Sequence, residues 1–198
     1  MKIDFEKNII LENNRVILRP LTYDNVNDLS HFSLNEPELW EYSLTPANGI
    51  ENLKKYINLA LEERKNNRSY PFVVIDKSNN KIAGSTQFYD YQAIHNTIQL
   101  GYTWYGKEFQ GTGLNKNCKY LMLEHAFDTW NLDRVEFRAD YNNKRSINAM
   151  KSIGCIEEGI LRSNCSSLTG RRDSIVLSIL KNEWLNSVKS KLQTKISH

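Results

Sequence analysis

Apolar positions follow two different spacings along this chain. Ile50, Leu53, Ile57 and Leu61 recur every three or four residues and define one face of a helix. Glu51, Lys54, Lys55, Asn58 and Glu62 make its opposite, solvated face. Leu114, Cys118, Leu121, Met122 and Ala126 repeat the pattern and predict a helix over 114–130; another follows over 146–153. Upstream, Thr22 stands where it can cap a helix running to about Ser33, and 36–42 predicts a short helix that stops before Pro46. Strand-like runs occupy the gaps. Residues 9–12 and 15–18 flank Asn13-Asn14, a tight hairpin or a loop. Residues 71–75 and 81–91 form an antiparallel pair around the turn 77–80, and 97–104 adds a strand. Residues 159–164 and 174–180 close as a hairpin around Thr169-Gly170.

The second half alternates: strand 97–104, helix 114–130, strand 134–139, helix 146–153. That order implies a parallel strand pair joined by a crossover helix. Between the first strand and its helix lies Phe109-Gln110-Gly111-Thr112-Gly113-Leu114-Asn115-Lys116. The first turn of a helix has unpaired N–H groups and a partial positive charge, and glycines let a ligand approach that backbone. Such a turn can seat a phosphate, although by itself it is also an ordinary helix start. A P-loop requires Gly-Lys-Ser/Thr, and a dinucleotide fingerprint requires a third glycine where this chain has Lys116. Both nucleotide readings lose a required residue.

Composition narrows the class without naming it. A chain of 198 residues fits one domain spanning 1–198, and burial of roughly 70% of its unfolded surface needs neither disulfide nor metal. Hydrophobic residues are 40% and charged residues 25%, ordinary globular values. The formal charge of +3 is small and scattered, which speaks against a nucleic-acid partner. Cys118, Cys155 and Cys165 are widely spaced, with no signal-like apolar core near the N-terminus, as expected of a cytoplasmic protein. No apolar run is long enough to cross a bilayer, and no His/Cys spacing suggests a metal. The basic tail 185–198 reads as a solvated or frayed helix.

Taken in order, the motifs resemble the GNAT acyltransferases. Gln110 and Gly113 match that family's Gln-x-x-Gly-x-(Gly/Ala) pyrophosphate signature, while Asn115 departs from its final small residue. Residues 143–154, beginning Asn143-Lys144-Arg145-Ser146, resemble its Asn-x-x-Ser-x-x-Ala helix with closing glycine. Residues 16–21, 82–86, 157–162 and 170–173 resemble its flanking strands and final hairpin. The likeness spans about Arg15 to Trp184 and is strongest to the RimJ/RimL type, which acetylates N-terminal amines of ribosomal proteins. It implies a single α/β domain: a mixed, mostly antiparallel sheet with a splayed central parallel pair, flanked by helices. It also implies acetyl-CoA as donor, an amine-bearing acceptor (a protein N-terminus or a small molecule) and a possible homodimer through the final hairpin.

The resemblance assigns residues too. The N–H groups of Gly111, Thr112, Gly113, Leu114 and Asn115 would face the pyrophosphate, with Gln110 and Lys116 adding side-chain donors. Asn143 would hydrogen-bond the pantetheine arm, and Ser146 would donate to the departing thiolate; the plain alternative is that both cap their helix. Backbone of Tyr102, Thr103 and Trp104 would hold pantetheine and the oxyanion, although the Tyr102 and Trp104 side chains could equally be core. Trp40, Tyr42 and Gln99 would line the acceptor cleft, with Tyr89 and Tyr91 as packing and Cys165 a buried bystander. Gln99 stands where many relatives have Glu. It cannot take a proton, so no side-chain base is assigned; Glu41, Glu108 and His95 qualify by chemistry only. No Cys or Ser is paired with a base, so direct attack without an acyl-enzyme is expected. Two rivals remain open: a non-catalytic acyl-CoA-binding module, motivated by Gln99, and a basic nucleic-acid or ribosome-surface binder, disfavoured by the small charge.

Overall fold

The structure, a computed structural model, describes residues 3–168 and 170–196, so Thr169 at the expected hairpin tip lies outside it. One eight-stranded sheet runs through the molecule. In chain order the elements are β1 (Leu11–Glu12), β2 (Val16–Pro20), α1 (Asn25–Asn35), α2 (Ile50–Lys65), β3 (Ser69–Asp76), β4 (Lys81–Gln92), β5 (Thr97–Tyr105), α3 (Leu114–Glu124), β6 (Arg134–Asp140), α4 (Lys144–Ser152), β7 (Ile156–Ser167) and β8 (Gly170–Leu180). The sheet order is β1-β2-β3-β4-β5-β6-β8-β7. Every pairing is antiparallel except β5 with β6. This is the mixed sheet with a central parallel pair that the sequence implies.

Successive residues on a strand point to opposite faces, and β4 shows both covering layers. Ser85 faces α2, with its hydroxyl 3.4 Å from that of Tyr56. Thr86, the next residue, accepts a hydrogen bond from Lys119 of α3 at 2.9 Å.

The parallel pair is short. Thr97, Ile98 and Gln99 pair with Arg134, Val135 and Glu136, and there the contact ends. β5 continues along β4 to Tyr105↔Gly84, while β6 continues along β8 to Asp140↔Ser174. The facing edges of 100–105 and 137–140 are therefore left open to each other. A bulge accompanies the divergence. Ser85 pairs with Trp104 and Gln87 with Gly101, so Tyr102 and Thr103 stand opposite Thr86 alone. Tyr102 has φ +49°, a left-handed conformation that non-glycine residues seldom adopt. A bulge bends its strand, and here it bends β5 away from β6.

Three expectations change in detail. Thr22 does not cap α1 with its side chain; Asn25 Oδ1 instead accepts from the Thr22 N–H at 3.0 Å, so the turn is closed from inside the helix. The short helix shrinks to one 3₁₀ turn, Pro37–Trp40, which buries Trp40. The tail is helical as far as Ile196, exposed on most of its surface but packed along one face rather than frayed. After β8 the chain is helical through Lys181–Glu183, Trp184–Val188 and Lys189–Ile196. Trp184, Val188 and Leu192 are buried in the core, and the Trp184 indole donates to Asp128 at 3.1 Å. Lys189 adds a charged contact to Asp128 at 2.5 Å. A weakly amphipathic sequence gains its helicity from such packing rather than from propensity. The Asn13-Asn14 alternative resolves as a hairpin: Asn13 Oδ1 accepts from the N–H groups of Arg15 and Val16.

Candidate active site

The opening between β5 and β6 forms a cleft of about 1280 Å³. Its first end is the glycine turn. Gly111 (φ +76°) and Gly113 (φ +84°) are both left-handed, and a Cβ built on either meets nothing within 4 Å. Glycine is thus required by backbone conformation, and the space over the turn is open. Gly113 is the residue before α3, and Leu114 and Asn115 begin the helix with N–H groups that have no intrahelical acceptor. The turn therefore has the form of an anion seat, fit for the pyrophosphate of acetyl-CoA.

Its side chains are used differently from the expectation. Gln110 is not a free donor: its Nε2 donates to the Tyr105 carbonyl at 2.8 Å, and its Oε1 accepts from Arg145 of α4 at 2.5 Å. Gln110 thereby ties the end of β5 to α4 and spans the mouth of the cleft. Thr112 is exposed, its hydroxyl donating to the Phe109 carbonyl at 2.8 Å, and the Leu114 side chain is fully buried; neither is among the residues that line the cleft. Asn115 lines the cleft and accepts from the Tyr105 hydroxyl at 3.3 Å. Lys116 and Arg145 also line it and supply positive charge; the part played by Arg145 has no counterpart in the sequence reading.

The cleft wall continues along α4. Asn143 caps this helix, its Oδ1 accepting from the Ser146 N–H at 3.0 Å, and both residues line the cleft. Tyr102, Thr103 and Trp104 line it from β5. The Tyr102 ring is in the cleft wall, edge-on to Tyr89 at 5.0 Å; Tyr89 is therefore a wall residue and not packing alone. Tyr91 does pack, 5.9 Å from Phe5. Trp40 and Trp104 contact one another at 5.2 Å, are almost wholly buried, and leave both indole N–H groups without a partner among the described residues. Tyr42 and Cys165 reach the same cleft, so Cys165 is no buried bystander.

Gln99 sits in the wall at the point where β5 and β6 part, 7% exposed. Its Nε2 donates to Asp90 Oδ2 at 2.6 Å. Asp90, near the end of β4, is exposed as Glu41 is, but is held by Gln99; it also lines the cleft and escapes a sequence reading, because the β4–β5 turn separates it from the motif it joins. Of the three chemical candidates for a base, Glu41 lines the cleft but is exposed, His95 is on the exposed β4–β5 turn, and Glu108 is ion-paired to Lys81 at 3.7 Å.

Lys119 escapes it too, since its position on α3 looks like that of any helical lysine. It is 4% exposed, lines the cleft, and donates to Thr103 Oγ1 at 2.7 Å and Thr86 Oγ1 at 2.9 Å. Burial pulls its ammonium down to about 7. Cys118, on the same helix, has its thiol pushed up to about 11 by burial, and Cys155 is raised as well, so neither is a ready nucleophile. Among the described residues no group of three or more His, Cys, Asp or Glu is placed to hold a metal, and no helix is long and apolar enough to cross a membrane.

A wedge between two parallel strands, with a glycine turn and a helix start beside it, is the arrangement expected of the acyltransferase family named above. The family model for an acetyltransferase (GNAT) domain matches residues 15–156, well over half of the chain. The chain belongs to this family and is an N-acetyltransferase. Among curated proteins it is 22% identical over 175 residues to N-acetyltransferase p20 of Bacillus licheniformis, covering 88% of this chain and 97% of that one. It is 28% identical over 103 residues to a Bacillus subtilis protein provisionally named ribosomal N-acetyltransferase YdaF, covering 52% of this chain and 56% of that one. A solved structure from T. thermophilus, provisionally described as an acetyltransferase, superposes with a TM-score of 0.85 at 29% identity, covering 94% of this chain and 96% of that one.

Proposed function

We propose that this enzyme transfers an acetyl group from acetyl-CoA to a primary amine by direct attack, and that the amine is a protein N-terminus of the ribosomal-protein type. The observation that carries the reading is the parting of β5 and β6 after Gln99 and Glu136, which opens one cleft. The glycine turn and the aromatic residues Trp40 and Tyr42 both line it. The ribosomal name of the B. subtilis relative supports this acceptor class, as does the RimJ/RimL-like arrangement of motifs.

Acetyl-CoA supplies an activated thioester when bound, and the chain's residues do the rest. N–H groups of residues 111–115 hold the pyrophosphate. The open edge of β5 offers backbone groups to the pantetheine arm as a strand would. Asn143, by capping α4, fixes the turn that carries Ser146 in the cleft wall; the Ser146 hydroxyl donates to the departing sulfur in this reading. Placing donor and acceptor in one cleft supplies the proximity on which direct transfer depends. Asp90, held against Gln99, answers the missing glutamate: the carboxylate stands one side chain further out and receives the amine's proton. Ser146 has no base within hydrogen-bond reach among the described residues, and the buried thiols titrate too high, which supports transfer without an acyl-enzyme.

The test is release of free CoA from acetyl-CoA, corrected for hydrolysis, across N-terminal peptides and small amines. Turnover confined to peptides supports the N-terminal reading. Turnover confined to small amines replaces it with metabolite or antibiotic modification. CoA binding without turnover on any amine favours the non-catalytic rival.

A further inference from the structure

Arg172 is a buried charge in the cleft whose donors the chain does not satisfy. It sits on β8, directly across from Cys165 of β7, and is 8% exposed. A guanidinium carries five N–H donors in a fixed fork. Here one reaches the Tyr42 carbonyl at 3.4 Å, at the long limit of a hydrogen bond. The nearest carboxylate oxygen, Asp140 Oδ2, is 3.9 Å from Nε, close enough to balance charge but too far to accept a hydrogen bond. Nε has no acceptor among the described residues. Arg134 in the same sheet shows the ordinary arrangement: it is more exposed, yet forks onto Glu136 and Glu158 at 2.8 and 2.7 Å. A buried guanidinium with idle donors is matched to an oxygen that the chain itself does not provide.

Arg172 lines the cleft together with Tyr42, Asn164 and Cys165, and its backbone is in the β7–β8 hairpin rather than in the glycine turn or α4. Its charge is felt at the hydroxyl of Tyr102, the bulge residue of β5, where it opposes the effect of burial. Asp90, held by Gln99, lines the same chamber. An acceptor that reaches both groups would present its amine to the carboxylate and an oxygen to the guanidinium.

We propose that Arg172 binds the carbonyl or carboxylate oxygen adjacent to the reacting amine, so that the acceptor is an α-amino carbonyl compound and polyamines are rejected. This rests on the cleft being an acetyltransferase acceptor chamber. Amino acids and protein N-termini share the α-amino carbonyl group, while a polyamine has only cations to set against Arg172 and nothing to accept from it. Arg172 is thus a specificity-determining residue.

The experiment follows the arginine Nε–Hε resonances of the full-length protein by ¹⁵N NMR, with and without CoA. The Arg172 signal is identified by its loss in R172K and R172Q. The probes are L-alanine, L-alaninamide, n-propylamine and spermidine. The proposal expects the signal to move with alanine or alaninamide and to stay in place with propylamine and spermidine. Movement with alanine alone identifies a carboxylate-bearing small acceptor, and movement with alaninamide identifies the main-chain carbonyl of an N-terminus. No movement with either, or equal movement with propylamine, overturns it. In turnover assays R172Q should raise KM for the carbonyl-bearing acceptor about ten-fold or more, the scale of a lost charged hydrogen bond, with KM for acetyl-CoA unchanged. R172K, which keeps the charge, serves as the folding control and should recover part of that loss. Failure of acetyl transfer with every amine, beside a probe-specific Arg172 shift, would refute the enzymatic reading and leave the oxygen site standing.

Discussion

Gln99 Nε2 donates to Asp90 Oδ2 at 2.6 Å, and Gln92 Nε2 donates to Asp90 Oδ1 at the same distance. Two amides thus hold one carboxylate at the wall of the cleft, on a residue whose φ of +50° is itself uncommon. The glutamine that removes a carboxylate from β5 therefore holds one on β4, the proton acceptor of the proposed mechanism. Asp90→Asn keeps the shape and removes the proton acceptor. It should lower kcat about 100-fold, the lower range of general-base contributions, while KM for acetyl-CoA stays constant. Steady-state kinetics with the acceptor varied decides this; an unchanged kcat would send the proton elsewhere, most simply into water.

The phosphate seat depends on backbone conformation at Gly113. Gly113→Ala meets no neighbour, yet must hold a β-carbon at φ +84°, which costs roughly 1–2 kcal/mol. The turn should distort and CoA affinity should fall modestly. Gly113→Glu adds a carboxylate to the anion seat and should abolish binding. Calorimetric titration with CoA measures both, and full affinity in Gly113→Glu would remove the seat from this turn.

Ser146 lies in the first turn of α4, and its N–H, not its hydroxyl, satisfies the Asn143 cap. Ser146→Ala should therefore leave the helix and CoA affinity intact while reducing turnover. Equal turnover would mean that the thiolate leaves without help from this hydroxyl.

Lys119 makes stability depend on pH. Its ammonium, near 7 in the folded chain against 10.5 ordinarily, binds fewer protons folded than unfolded between those two values. Stability from this group therefore rises with pH across that window, falls as pH drops toward 7, and does not change further below it. Lys119→Met removes the buried amine and leaves Thr86 and Thr103 paired with each other, their hydroxyls already 2.8 Å apart. The variant should be the more stable at pH 7, by on the order of a few kcal/mol, and the gap should close toward pH 10. Thermal melts at the two pH values test this; a less stable variant at pH 7 would show that the lysine is held as a well-solvated cation.

Much of this architecture is legible in the sequence. The 3.6-residue spacing of Leu114, Cys118, Leu121 and Met122 and the strands on either side are enough to expect a crossover and a parallel pair. The glycine turn is legible because Gly111 and Gly113 hold conformations that other residues resist. Side-chain partnerships are not. Nothing local reveals that Gln110 is claimed by Tyr105 and Arg145, or that Asp90 swings onto Gln99, since those contacts depend on how β4, β5 and α4 meet. The packing of the C-terminal helix is hidden for a related reason: its polar face dominates the local pattern, whereas Trp184 finds its place only against Phe127, stacked at 5.6 Å. Arg172 and Lys119 look like surface charges because burial of a charged residue is a tertiary event.

The most direct test incubates the protein with acetyl-CoA and a peptide bearing a free N-terminal alanine, and follows by mass spectrometry whether the peptide gains an acetyl group in step with CoA release. Acetylation of the α-amine, one per CoA released and lost in Gly113→Glu, is the result predicted here. CoA release without any acetylated amine, or acetylation that persists in Gly113→Glu, would contradict the account.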